Sequence, residues 1–153
     1  MSSDIRVVSP TAPDITAILE AHLELMRSIS PPEAVHALDL DQYEASGTTL
    51  FALYDDDEAV AIGGLREYEP GAVEIKSMHV PSHHRGRKLS RTMLEHLLDQ
   101  ARDRGATRAS LETGSQDAFE PARQLYATHG FRFCGPFGDY DLDPNSTFMT
   151  RDL

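Results

Sequence analysis

Apolar residues recur along this chain with two different periods, and the changes between them outline an order of elements. Residues 5–8 form a short apolar run that reads as a strand. Pro13 and Asp14 then open a helix whose positions Ile15, Ile18, Leu19, His22, Leu25, Met26 and Ile29 fall on one face, and residues 30–33, SPPE, end it. Residues 34–47 read either as loop or as a second short helix. Residues 48–54 and 59–68 read as strands joined by the acidic turn DDDE, and residues 72–80 extend that hairpin into a meander after the turn Glu69-Pro70-Gly71. Leu89, Met93, Leu94, Leu97, Leu98 and Ala101 make the next helical stripe, which Gly105 stops. Residues 108–112 follow as a strand. Pro121 suits the first turn of a last helix with Ala122, Leu125, Tyr126 and His129 on its face and Gly130 at its end, and residues 131–134 and 147–151 are late strands. This order predicts a mixed α/β sheet flanked by helices, in one domain spanning residues 1–153.

Length and composition fit one folded domain: the chain has 153 residues, 40% of them hydrophobic, enough for a real core. No apolar run approaches the roughly 18 residues of a membrane span. The start MSSDIRVVSP lacks the apolar stretch of a signal peptide, so a soluble, cytoplasmic protein without membrane partners is expected. Cys134 is the one cysteine, which precludes an internal disulfide and a cysteine-cluster metal site; on a strand it reads as core rather than nucleophile. The net charge of −11 argues against nucleic acid as a partner.

Charge is unevenly distributed. Residues 1–74 carry 3 basic and 15 acidic side chains, whereas residues 75–94 carry Lys76, Arg85, Arg87, Lys88 and Arg91 and no acid. This basic island falls where a strand passes through a short glycine-containing loop into a helix. First-turn N–H groups of a helix lack intrahelical acceptors, so such a loop can aim them at a polyphosphate. A solvated basic turn is the plainer alternative, and the strand-loop-helix context argues against it. His79, His83 and His84 invite a zinc reading, but on a strand and turn they share no fixed face and their basic neighbours repel a cation, so no metal is expected. The nucleophile elbow, the P-loop and the dinucleotide fingerprint are absent, and Ser115 has no base beside it.

The loop RGRKLS at 85–90, the helix after it and ARQLYATHGF at 122–131 resemble the acetyl-CoA-binding core of the GNAT superfamily of N-acetyltransferases, over roughly residues 48–153. The stretches PPEAVHALDLDQY, LETGS and CGPFGDYDLDPNSTFM further resemble a branch of small microbial members. The resemblance implies the GNAT fold, with a mostly antiparallel central sheet, acetyl-CoA as co-substrate, and direct acetyl transfer to a primary amine without a covalent intermediate. Many relatives of this size pair as dimers, so a homodimer is one expected arrangement, with the oligomeric state left open. Arg85, Gly86, Arg87, Lys88, Leu89, Ser90 and Arg91 would form the phosphate cradle. Two glycines of the family motif are replaced by Lys88 and Ser90; Lys88 would be strained at a positive φ, while Ser90 is small enough for close approach. Met78, His79 and Val80 would meet the acetyl carbonyl and pantetheine arm through their backbone.

By the same resemblance Tyr126 protonates the departing thiolate and Glu74 deprotonates the amine, directly or through water, with His79 the alternative base. From periodicity alone Tyr126 reads equally as one more member of a buried stripe, and Glu74 as an exposed carboxylate paired with Lys76 or Arg66. Phe119 stands where the family often has Asn, removing one polar cofactor contact. A module that binds or senses CoA without turnover is the second expectation, motivated by these departures. The acceptor is expected to be a small-molecule or peptide amine. Glu33, His36, Asp39 and Asp41 mildly favour a cationic one.

Overall fold

A computed structural model describes residues 3–31 and 42–153. In chain order it contains β1 (Ser3–Val8), α1 (Pro13–Ile29), α2 (Gln42–Ser46), β2 (Thr49–Asp55), β3 (Glu58–Glu69), β4 (Ala72–His79), α3 (Leu89–Asp103), β5 (Arg108–Gly114), α4 (Glu120–Thr128), β6 (Arg132–Cys134) and β7 (Ser146–Asp152). The strands form one seven-stranded sheet in the order β1-β2-β3-β4-β5-β7-β6. All pairs are antiparallel except β4 with β5, whose parallel pairing follows from the crossover through α3. The mostly antiparallel α/β sheet predicted from the sequence is therefore observed. The ambiguous stretch at 34–47 contributes α2 from its described part, and Glu33, His36, Asp39 and Asp41 lie outside the described residues.

Alternation along β3 sends neighbouring residues to opposite sides of the sheet. Ala61 and Leu65 join the core under α3, where Met93, Leu94, Leu97, Leu98 and Ala101 are buried with Val73, Ile75, Leu111 and Met149. A fully buried leucine in such a core contributes about 2 kcal/mol. Gly63 permits this contact: a Cβ there would stand 2.8 Å from the Met93 Cγ and 2.9 Å from the Leu97 Cδ1. On the opposite side Ile62 packs with Leu50, Ala52 and Tyr54 beneath Ile15, Ile18 and Leu19 of α1 and Tyr43 of α2. The stripe on α1 divides along its length. Its first part is buried and is joined by Leu23, while Leu25, Met26 and Ile29 are only half-buried and line a cleft.

Beyond β3 this second side of the sheet becomes polar. Ser110 and Thr150 are buried and share a hydrogen bond of 2.8 Å, with the Tyr68 hydroxyl 3.1 Å from Ser110. The segment after β6 covers them with Phe137 and Tyr140, which stack with each other and with Phe148. Two irregularities in β4 open the sheet beside this layer. Its residues Lys76 and His79 face Gly64 and Ile62 on β3, so three steps on β4 match two on β3; Ser77 absorbs the bulge at φ +57°. On its other edge, pairing with β5 ends at Ile75 opposite Leu111, although both strands continue. The two strands part there.

Candidate active site

A cleft of about 760 Å³ occupies the gap between the parted strands, bounded by the end of α1, β4, the basic loop, the start of α3, the end of β5 and α4. It contains Glu74 and Tyr126 together with Met78, His79, Val80, Arg85, Gly86, Lys88, Leu89, Ser90 and Arg91, residues separated by up to 52 positions in sequence.

The basic end is set by backbone geometry. Gly86 has φ +86°, and Lys88 stands at the N-cap of α3 in the left-handed region, φ +61° and ψ +27°. Lys88 therefore does take the conformation that its missing glycine would have eased, at a cost of about 1 to 2 kcal/mol. No side chain caps this helix, so the first-turn N–H groups are left for a ligand, with Arg85, Lys88 and Arg91 around them. Arg87 is the one predicted cradle residue that does not line the cleft. Its guanidinium is held 2.6 Å from Asp55 and donates to His84 Nδ1 at 3.2 Å, behind the loop.

His84 completes this anchor, with Nε2 3.1 Å from Glu58. Glu58, His83 and His84 bring possible ligand atoms within 4.8 Å of one another, a grouping that sequence inspection did not find because it paired the imidazoles with His79 instead. Chemistry favours a hydrogen-bonded strut over a metal centre. With Nδ1 accepting from Arg87, the neutral His84 ring carries its proton on Nε2, the nitrogen that would have to be bare to ligate. The strut ties the acidic β2–β3 turn to the basic loop.

At the centre, Tyr126 projects from α4 with 7% exposure, its ring edge-on to Phe131 at 5.8 Å. Tyr126 belongs to the buried stripe and also lines the cleft. Among the described residues its hydroxyl has no hydrogen-bond partner. Burial pushes its pKa up to about 12, so the phenol is protonated throughout the physiological range. Phe119 packs on the backbone of Gly114, where a Cβ would fall 2.1 Å from its ring, and gives the cleft an apolar wall in place of a polar contact.

The far end is assembled from long-range contacts. Glu74 is 1% exposed, not exposed as the plainer sequence reading has it, because Tyr140 lies over it. It accepts from Arg66 at 3.2 Å, from Lys76 at 3.2 Å and from the Tyr140 hydroxyl at 2.5 Å, while Lys76 also donates to Tyr140 at 2.9 Å. Burial and the Glu74 carboxylate push the Tyr140 phenol far above its ordinary pKa. Beside the bulge, Ser77 hydrogen-bonds Tyr43, and His79 meets His22 of α1 with Nδ1 to Nδ1 at 3.2 Å. Sequence reasoning placed His22 only in an apolar stripe and did not single out Tyr140; a histidine interrupting that stripe was the available signal for the first.

Comparison with known proteins agrees with this architecture. The model of the Acetyltransferase (GNAT) family matches residues 15–131. The uncharacterized N-acetyltransferase YsnE of Bacillus subtilis is 40% identical over 149 residues, covering 97% of this chain and 99% of that protein. A crystal structure from Klebsiella pneumoniae, of a protein assigned to the acyl-CoA N-acyltransferases, superposes with a TM-score of 0.83 at 28% identity, covering 99% of this chain and 97% of the other. A Bacillus subtilis acetyltransferase crystallised in complex with CoA shares the fold at a TM-score of 0.73 and 16% identity, over 99% of each chain.

Proposed function

Given that the chain belongs to the acetyltransferase (GNAT) family, we propose that it moves an acetyl group from acetyl-CoA to a primary amine by direct attack, without a covalent enzyme intermediate. The observation that carries this reading is the parting of β4 from β5 after Ile75 and Leu111, which leaves backbone groups of β4 facing a cleft rather than a neighbouring strand. Such groups suit the pantetheine arm and the acetyl oxygen, where negative charge develops during attack. The uncapped start of α3 with Arg85, Lys88 and Arg91 suits the pyrophosphate at the cleft's other end. A module that only senses CoA is the weaker reading, since relatives as similar as YsnE are named N-acetyltransferases.

Tyr126 is assigned the role of donor to the departing thiolate. Complete proton transfer from an ordinary phenol to a thiolate of pKa near 8.5 is uphill by about 2 kcal/mol, and a phenol at about 12 raises this to roughly 5 kcal/mol. Burial of the thiolate in the same cleft narrows the gap by raising its own pKa. Tyr126 therefore acts first as a hydrogen-bond donor that stabilises the leaving group, and completes the transfer only as far as the cleft desolvates the sulfur.

At the acceptor end two groups can take the amine's proton, which must leave before or during attack. Glu74 already accepts from three donors, so it works through a water or by releasing one of them. His79 is the other. The first test is the melting temperature with acetyl-CoA at about one hundred times its dissociation constant. Roughly 2.7 kcal/mol of linkage is expected to raise the midpoint by about 5 to 10 °C. No shift at saturation would overturn the reading; a shift would be followed by CoA-thiol release over a panel of amines, where silence across a broad panel would remove the amine acceptor.

A further inference from the structure

The pairing of His22 with His79 bears on the route by which a proton leaves the cleft. Both rings are buried, at 8% and 9% exposure, and both line the cleft, one from α1 and one from β4. Their Nδ1 atoms are 3.2 Å apart and the ring planes stand at 74°. A hydrogen bond between two imidazole nitrogens requires one to carry the proton and the other to be bare. In an uncharged pair the tautomers must then be opposite: the ring with Nδ1–H has a bare Nε2, and the other ring has Nε2–H. Neither Nε2 has a partner among the described residues, and neither is among the buried atoms left unpaired. Each Nε2 therefore reaches solvent, and both rings line the cleft.

Resting on the acetyl transfer proposed above, we propose that His22 and His79 form a two-ring relay that receives the acceptor amine's proton and passes it out of the cleft. His79 is the receiving ring, because it stands at the end of β4, in the stretch that has parted from β5 and lines the cleft. The amine's N–H proton bonds to the bare Nε2 of His79, the nitrogen keeping the electron pair with which it attacks. The Nδ1 proton of His79 crosses to Nδ1 of His22. His22 then gives its Nε2 proton to water. The pair ends uncharged with its tautomers exchanged, and the two Nε2 atoms reset through water once product leaves. Glu74 is less suited to the task, since protonating it would leave Arg66 and Lys76 around a neutral acid.

Charge around the pair supports a relay that rests uncharged. Burial, the neighbouring His79 ring and Lys76 of β4 lower His22 to about 4, and burial with Arg85 of the basic loop lowers His79 to about 4. The dyad thus rests uncharged, and as a weak base it takes the amine's proton as the N–C bond forms, when that proton becomes acidic.

The test has two arms. In ¹⁵N-labelled protein with acetyl-CoA at pH 7, the imidazole nitrogens should report two neutral rings of opposite tautomer with scalar coupling across the Nδ1 hydrogen bond. Two rings of the same tautomer without coupling, or a stable imidazolium, would overturn the relay. In the second arm, His22→Asn keeps a hydrogen-bonding group at the Nδ1 position and removes the second ring. With any panel amine that gives thiol release, kcat should fall about ten- to hundred-fold, KM for acetyl-CoA should hold within about two-fold, and a curved proton inventory should become linear. An unchanged kcat and inventory overturn the proposal. Where the variant does not fold, or no panel amine turns over, the tautomers of the native chain decide. Failure of the acetyl-transfer reading looks different: acetyl-CoA gives no thermal stabilisation, whatever the tautomers.

Discussion

The half of the cleft proposed for the cofactor comes from nearly one uninterrupted stretch, residues 78–91, whereas the half proposed for the acceptor brings His22 from α1, Glu74 and Lys76 from β4, and Tyr140 from the segment after β6. The first carries its basic groups on the surface: Arg85, Gly86, Lys88 and Arg91 are all exposed, and the partners of Arg85 and Arg91 are the nearby Val80 carbonyl and Glu95. The second is buried and internally satisfied, with Glu74 holding two cations and a phenol. Exposed charges are screened and weakly coupled to folding, while buried partners depend on one another for solvation. The contrast teaches that recognition and stability are separable in the cofactor half and joined in the acceptor half.

The sharpest way to break this contrast is to remove Glu74. Glu74→Ala strands Lys76 and Arg66 beside an empty buried site and is expected to cost about 3 to 5 kcal/mol in urea unfolding. Adding Lys76→Met should recover part of that loss; strict additivity would show that the two do not interact. Acidification comes next. The imidazoles of His22 and His79 sit near 4 when folded and near 6.5 when unfolded, so the unfolded chain binds more protons between those values. Their stabilising contribution is fully present above about pH 6.5 and is lost as pH falls towards 4, by up to about 3 kcal/mol for one such group. A stability profile flat from pH 7 to 4.5, once the carboxylates are accounted for, would contradict this.

Smaller effects belong to catalysis and to the cofactor half. Tyr126→Phe should lower kcat about ten- to hundred-fold while acetyl-CoA still raises the melting temperature as in the native chain. Arg85→Ala with Arg91→Ala should weaken CoA about ten-fold with little change in stability, whereas Arg87→Ala should leave affinity within about two-fold, because its guanidinium is engaged with Asp55 and His84. Calorimetric titration distinguishes these; equal losses would place Arg87 on the ligand. Lys88→Gly should do least, raising stability by about 1 kcal/mol through relief of the left-handed strain, with CoA affinity retained.

Legibility in the sequence followed the same divide. The α3 stripe from Leu89 to Ala101 has the helical period and is buried from Met93 onward, with Leu89 half-buried, and the basic loop was visible because its charges are contiguous. The direction of Arg87 was not legible: charge pattern cannot tell which guanidinium lines the cleft and which grips Asp55, 32 residues earlier. Glu74 was legible as a carboxylate near cations but not as a buried one, because the residue that covers it is Tyr140, 66 positions away.

What the sequence by itself determined is whatever depends on near neighbours: the periods of helices and strands, the turns, the basic loop at the start of α3 and the family to which these patterns belong. Hydrophobic period and helix-end chemistry are local interactions, so a short window of residues suffices to state them. The tertiary structure alone decided which of these groups meet. The bulge at Ser77, the parting of β4 from β5, the burial of Glu74 and the contact of His22 with His79 across 57 residues arise from the packing of separate elements onto one sheet. A buried polar group requires a partner, and in a folded chain that partner is chosen by proximity in space, which the spacing of residues along the chain does not encode.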